Sequence, residues 1–503
     1  MPAKSTESLI EDGRKALARA ETAGRTFATY DRDAVMRVVR AVTTAAEANA
    51  ERLAYAAVEE TGFGVAADKI TKNLAIARDF IPEYAHLDFC GHRADAAAKI
   101  LSVPKPAGVV FAVLPSTGPV AALYFKVLCA MLTRNAIVLS PHPAAAKTGV
   151  DAAQVLADAA TGAGAPADVI QVLPHPSIPL VEAMMGDERT KLVIATGGAG
   201  VVRTAYHSGT PAIGVGPGNP PVIVDDTADL TNAAASIVRS KAFDNSILCT
   251  AESVLFVVDS VADDLKRRLQ REGAYLCNSS ETDRVRDLVY PRGAFDPAVV
   301  GRFATELARF ASVRVPTSTR LLVTPIARIH DGESLTHEKL CPVLALRRVP
   351  SFEAAVREAK ELVDIVGVGH SAVIHTDIPQ RVLDFAGELP VHRITVNAPG
   401  SVGNAGIGTG LPLTMSVGTG FIGGCSTADN LNPEHFVQWS RTTYASDSAV
   451  RFPDFTGLRL NQHDGTGNPS PAAGISEERL QALIREDLRK IVLEELRELM
   501  AAH

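Results

Sequence analysis

Val109-Val110-Phe111-Ala112-Val113-Leu114 is an unbroken apolar run that stops at Pro115-Ser116-Thr117-Gly118-Pro119. It is rich in β-branched residues and too short for a buried helix, so it reads as a strand covered on both faces. Working outward, the same punctuation recurs. Ala136-Ile137-Val138-Leu139 ends at Ser140-Pro141, Val169-Ile170-Gln171-Val172-Leu173 ends at Pro174, and Leu192-Val193-Ile194-Ala195 ends at Thr196-Gly197-Gly198. Helix-like stretches at 118–133 and 144–161 lie between these runs. Strands alternating with helices predict an α/β fold with a parallel sheet, and ligands in such sheets bind beyond the carboxyl ends of the strands.

The rest of the chain divides around this unit. Residues 6–86 have helical apolar spacing, as in Val35, Val38, Val39 and Val42, interrupted at Thr61-Gly62-Phe63-Gly64. KILSVP at 99–104 alternates like a short strand. A second α/β region is expected over 226–424, with strands at 253–258, 320–324, 371–375 and 394–396 and dense glycine from 400 on. Residues 461–474 have the composition of a linker. Residues 475–503 read as one amphipathic helix, capped by Ser476.

Composition narrows the function classes. The 503 residues are 46% hydrophobic and 21% charged, with a formal net charge of −7. That balance suits a globular enzyme and argues against nucleic acid or an anionic membrane as partner. No apolar stretch has the length of a membrane span, and the first twenty residues lack the apolar centre of a signal peptide, so a cytoplasmic location is expected. Six cysteines (Cys90, Cys129, Cys249, Cys277, Cys341 and Cys425) show no metal-ligand spacing. No metal site is expected, and one thiolate nucleophile is.

Cys249 is that candidate. Phe243-Asp244-Asn245-Ser246-Ile247-Leu248-Cys249-Thr250-Ala251-Glu252 sets it in a small-residue loop before an apolar strand, where a thiolate could attack a carbonyl. Free cysteines are usually buried and inert, and the other five are read that way. This segment resembles the nucleophile motif of the CoA-acylating branch of the aldehyde dehydrogenase superfamily, which includes the aldehyde half of bifunctional aldehyde–alcohol dehydrogenases. Other motifs follow in the family's order: Glu60-Thr61-Gly62-Phe63-Gly64 with Asp68-Lys69 and Lys72-Asn73; Thr133-Arg134-Asn135 through Ser140-Pro141-His142-Pro143; Thr196-Gly197-Gly198; Gly214-Val215-Gly216-Pro217-Gly218-Asn219; and His337-Glu338-Lys339-Leu340-Cys341-Pro342. In the last, Cys341 replaces the family's usual Ser.

The resemblance implies a Rossmann-like NAD-binding domain at 1–225, interrupted by a bridging segment at 87–104. It implies a catalytic domain at 226–424 and a bridging, oligomer-building segment at 425–460. It implies that Cys249 forms a thioester, with Thr117 standing where hydrolytic relatives place an oxyanion-binding Asn. Ser140, Pro141, His142, Thr196, Gly197, Gly198, Glu338 and Leu340 would contact the cofactor, NAD, with NADP not excluded because Ser140 replaces a Lys of hydrolytic relatives. Val215 stands at the register of the hydrolytic general base and cannot take a proton, which favours resolution of the thioester by coenzyme A.

The implied product is an acyl-CoA made from a short-chain aldehyde: acetaldehyde, propanal, lactaldehyde or sulfoacetaldehyde. The glycine-rich 400–424 segment resembles the aldehyde–alcohol and sulfoacetaldehyde types. The rival readings are a hydrolytic aldehyde dehydrogenase and a non-catalytic scaffold subunit. A homo-dimer or tetramer is expected. The linker and helix at 461–503 resemble the encapsulation peptides of microcompartment enzymes, which gives a shell protein as expected partner and a bacterial microcompartment as expected location.

Overall fold

The computed structural model describes residues 5–465. Three long helices open the fold: α1 (Thr6–Phe27), α2 (Arg32–Thr61) and α3 (Ala66–Tyr84). Asp31 caps α2 by accepting the Ala34 N–H at 2.9 Å, and Gly62 ends it at φ 74°. The strands β1 (Arg93–Asp95) and β2 (Ile100–Pro106) lead into β3 (Val109–Val113). Then come α4 (Pro119–Leu132), β4 (Ala136–Ser140), α5 (Ala146–Gly162), β5 (Ile170–Val172), α6 (Ile178–Met185), β6 (Thr190–Thr196), α7 (Ala199–His207) and β7 (Ala212–Val215).

Strands β3 to β7 form a five-stranded parallel sheet in the order β5-β4-β3-β6-β7. The order reverses between β3 and β6, so their following loops diverge and leave a crevice. Every side chain of β3, β4 and α4 is buried, as the apolar runs predict. Phe125 on α4 is wholly enclosed; truncating such a side chain to Ala costs ~3–5 kcal/mol.

The second sheet has seven strands, all parallel. It is built from β8 (Pro221–Val224), β9 (Val254–Val258), β10 (Ala274–Leu276), β11 (Leu321–Pro325), β12 (Val343–Val349), β13 (Ala372–His375) and β14 (Ile394–Val396), in the order β10-β11-β12-β9-β8-β13-β14. Helix α8 (Leu230–Ala242) connects β8 to the loop before β9. Because β8 pairs with β9 and β13, this unit begins before residue 221 and not at 226. Finally β15 (Val437–Thr443) pairs antiparallel with β2 and completes a small sheet in the order β1-β2-β15.

Two further boundaries shift. Leu413, Cys425, Leu431 and Phe436 pack into the core around the first sheet, so much of the chain after 400 supports that half. The expected linker cannot start at 461: Gln462 donates to the Cys90 carbonyl at 2.6 Å, and His463 donates its N–H to Thr29 O at 2.7 Å. The helix expected at 475–503 lies outside the described residues. Among the described residues no helix is long and apolar enough to cross a membrane, and no His/Cys/Asp/Glu cluster has metal-binding geometry.

Candidate active site

Cys249 is reached through a strained turn. After α8 the backbone enters the left-handed region at three consecutive residues, Asp244 (φ 47°), Asn245 (φ 51°) and Ser246 (φ 63°). Each non-glycine residue there costs roughly 1–2 kcal/mol, so the surroundings must hold the turn. They do so with buried charge. Asp244 Oδ2 lies 2.6 Å from Lys72 Nζ and 3.1 Å from Lys69 Nζ, and its Oδ1 accepts the Val65 N–H at 2.7 Å. The Asp244 N–H donates to Asp68 Oδ2 at 2.7 Å. Asn245 Nδ2 and the Gly64 N–H both donate to Gly301 O at 2.9 Å, and the Gly301 N–H donates to Leu340 O at 2.8 Å. Three motifs dispersed in sequence, together with Gly301, thus meet at one turn. Gly64 sits at φ 85° against the Asp244 carboxylate and Lys69, and a β-carbon there would collide with both.

The turn delivers Cys249 half-buried in front of β9, whereas the other five cysteines are buried. Burial pushes its thiol up to about 12; the Glu338 carboxylate adds to the rise, and Arg393 and Lys72 oppose it. The resting thiol is therefore protonated near neutral pH.

Three loops surround the thiol. Gly218, in the Gly-Pro-Gly turn between β7 and β8, packs against the backbone carbonyl of Cys249, and its N–H donates to Glu338 Oε1 at 3.2 Å. Asn219 Nδ2 donates to Thr336 O at 2.8 Å. Lys339 Nζ donates to Leu335 O, His337 O and Ser253 Oγ at 2.6–2.9 Å, which fixes the Glu338 loop. Burial lifts the Glu338 carboxyl to about 7, against the Gly218 N–H and the nearby lysines. Glu338, His337, Leu340, Tyr290, Phe295, Gly293 and Val366 line a cavity of about 330 Å³.

The third loop, before β13, and the segment before β14 each hold a residue that sequence reasoning missed. His370 is fully buried beside Gly218, with Nδ1 2.9 Å from Ser371 Oγ and Nε2 without a protein partner. Burial, then the Arg393 charge, push it down to about 3, so the imidazole is neutral. The Arg393 guanidinium donates to His370 O at 2.7 Å and to Gly418 O at 2.6 Å. A lone histidine between Gly369 and Ser371 carries no spacing signal; only the fold brings it here.

The remaining expected residues lie at the carboxyl ends of the first sheet. Thr117, in the loop after β3, accepts a hydrogen bond on its carbonyl from Lys72 at 3.3 Å. Ser140 ends β4 with its hydroxyl buried and unpartnered. Pro141 follows, and the His142 ring accepts the Ala144 N–H at 3.1 Å, capping the next turn. Thr196 Oγ1 is engaged inward, accepting from the buried Lys126 at 3.0 Å and lying 3.1 Å from Ser416 Oγ. Gly197 and Gly198 lead into α7; a β-carbon on Gly198 or Gly200 would meet open space. The helix start therefore exposes backbone N–H groups beside the β3/β6 crevice, a setting that suits a dinucleotide phosphate. With Glu338 on the cavity wall, these residues fit a nicotinamide dinucleotide. Val215 is buried at the end of β7 and offers no proton acceptor.

The sequence profile described as "Aldehyde dehydrogenase family" matches residues 3–284. The chain is 37% identical over 425 residues to the bifunctional aldehyde-alcohol dehydrogenase AdhE of Escherichia coli (strain K12), an alignment covering 83% of this chain and 48% of that protein. It thus spans about half the length of the bifunctional relatives it matches. It is 35% identical over 468 residues to the sulfoacetaldehyde dehydrogenase (acylating) of Cupriavidus necator, covering 91% of this chain and 94% of that one. Among solved structures, an acetylating aldehyde dehydrogenase from Geobacillus thermoglucosidasius superposes with a TM-score of 0.86 at 33% identity, covering 88% of this chain and 98% of that one.

Proposed function

The chain belongs to the aldehyde dehydrogenase family, and from that premise we propose that it oxidises a short aldehyde, with NAD as acceptor, to a thioester on Cys249 that coenzyme A then resolves. The observation that carries this reading is a pairing: one half-buried cysteine on a braced turn, and the buried, apolar Val215 at the register where hydrolytic relatives keep their base.

The residues divide the work as follows. The Cys249 sulfur adds to the aldehyde carbonyl, and its proton leaves to solvent. The oxyanion so formed lies near the turn's backbone N–H groups and the Thr117 loop, which favour negative charge. Glu338 and the Gly197–Gly198 turn would hold a nicotinamide dinucleotide, which would supply the acceptor for the hydride that leaves as the adduct collapses to the thioester. The thiol of coenzyme A then attacks the thioester carbon, Cys249 leaves as thiolate, and His370 Nε2 takes the CoA proton and passes it to the Cys249 sulfur, which restores the resting thiol. The products are acyl-CoA, NADH and a proton. The unpartnered Nε2 of the buried His370, whose ring sits beside the Gly218 turn, supports this assignment.

The test is a two-stage measurement on the purified chain. With NAD and propanal but no CoA, NADH is expected to rise to about one per site and then nearly stop, as an acyl-enzyme accumulates. Added CoA restores turnover. Steady release of free acid without CoA would favour the hydrolytic reading instead.

Two finer readings go with it. The largely exposed β1-β2-β15 sheet supports a bridging role in a homo-dimer or tetramer. The segment after residue 465, on its sequence alone, supports delivery to a microcompartment shell.

A further inference from the structure

Lys72 sits on α3, yet its ammonium serves two loops of different origin. It lies 2.6 Å from Asp244 Oδ2 in the turn that carries Cys249, and it donates to the Thr117 carbonyl, in the loop after β3, at 3.3 Å. Its side chain is 1% exposed. We propose that Lys72 is a positioning residue for acyl transfer: it clamps the Cys249 turn to the Thr117 loop and so fixes the spacing between the thiolate and the donors around the oxyanion.

Three observations bear on this. Among the described residues, Lys72 alone joins Asp244 to the Thr117 loop; Lys69 bonds the same carboxylate but reaches no atom of that loop. The turn it grips is left-handed over three residues, so a loosened grip lets it relax toward ordinary backbone. The free space beside the ammonium, lined by Lys69, Lys72, Asn73 and Gly118, is about 10 Å³, room for one water at most. Little room therefore adjoins the ammonium for a second group to take over its bonds.

Charge acts in the same direction as geometry. The Lys72 ammonium lowers the Cys249 thiol against the effect of burial. The groups facing Lys72 are Asp244, Asp68 and Lys69; those facing Cys249 are Glu338 and Arg393. The proposal rests on the acyl-enzyme reading above.

The experiment compares Lys72→Met, Lys72→Arg and Lys69→Met in the full chain. It reads the NADH burst with propanal and NAD, and the pH profile of Cys249 alkylation by iodoacetamide, with the label located by peptide mass. Lys72→Met is expected to slow the burst about 30-fold or more, since misplacement by an ångström costs ~100-fold, while aldehyde KM changes little. Its alkylation profile moves to higher pH, Lys72→Arg recovers part of both losses, and Lys69→Met slows the burst far less at a similar fall in Tm. A folded Lys72→Met with wild-type burst and alkylation overturns the clamp, and so does Lys69→Met matching Lys72→Met in the burst. If Lys72→Met does not fold, Asp244→Asn replaces it: a burst slowed about tenfold or more is expected, on the same misplacement scale, and an unchanged one overturns the proposal. Label at another cysteine in the wild-type chain overturns the nucleophile reading, and the clamp with it.

Discussion

The carbonyl oxygen of Cys249 and the ring of His370 together fill the place that a β-carbon on Gly218 would take. A β-carbon on Gly218 would lie 2.8 Å from His370 Cε1 and 2.9 Å from its Nδ1, and closer still to the Cys249 oxygen. Only a bare backbone at Gly218 therefore fits beside both the Cys249 main chain and the imidazole.

Gly218→Ala is therefore expected to misplace Cys249. Overpacking of this kind destabilises by ~1–3 kcal/mol, and the shift of the reacting sulfur should slow the NADH burst by about 100-fold. Thermal melting and stopped-flow NADH absorbance on the same preparation separate the two effects. A normal burst would mean that the turn yields without moving the thiol.

Cys249→Ala should abolish NADH formation and acyl transfer in folded protein. Alanine at the buried Cys90, Cys129, Cys277 or Cys425 should keep most of the activity. Retention of more than about one hundredth of the wild-type rate by Cys249→Ala would exclude it as nucleophile, because loss of a covalent catalyst removes several powers of ten.

His370→Gln should divide the two half-reactions. Formation of the acyl-enzyme, read as the burst, should survive within about fivefold. Steady turnover with CoA should fall by about 100-fold or more, the usual range for a lost acid–base group. Equal loss in both phases would reduce His370 to support of the loop.

Glu338 gives a pH signature with a definite sign. Its carboxyl sits at about 7 in the folded chain, above the ordinary 4.5. A raised carboxyl means that the folded state holds its proton longer than the unfolded state, so stability falls as pH rises from 4.5 to 7 and levels off above. Glu338→Gln removes that ionisation. Its Tm should match the wild type near pH 4.5 and exceed it at pH 8, although cofactor affinity drops. A constant difference across pH 4.5–8 would contradict the assignment.

A chain ended after residue 465 retains the Gln462 and His463 contacts that tie this segment to Cys90 and to Thr29, between α1 and α2. It should keep CoA-dependent activity within about twofold, since no described part of the site is lost; surface changes rarely exceed ~0.5 kcal/mol. Ending it after Asn461 removes those contacts and should lower Tm by several degrees, on the scale of ~1 kcal/mol. Equal melting of the two truncations would show that the anchor carries no weight.

The strands β3, β4, β5 and β6 were legible because residues buried on both faces must be apolar throughout, and Pro or Gly ends each run. The motif around Cys249 and the missing carboxylate at Val215 were legible for a similar reason: nucleophile and base chemistry need particular residue types. The start of the second sheet was not. Pro221-Val222-Ile223-Val224 is too short to declare itself, and only its pairing with β9 and β13 assigns it.

What the sequence by itself determined was therefore the class of the fold, carried by local residue type, and, through the family motifs, the candidate nucleophile Cys249 and the candidate position of a missing base at Val215. The tertiary structure alone decided that Lys72 and Asp244, 172 positions apart, share one buried ion pair, and that His370 faces Gly218. Such pairings depend on distances between chain segments, and a charged or imidazole side chain looks the same in sequence whether it meets water or a partner; burial is what turns it into part of a site.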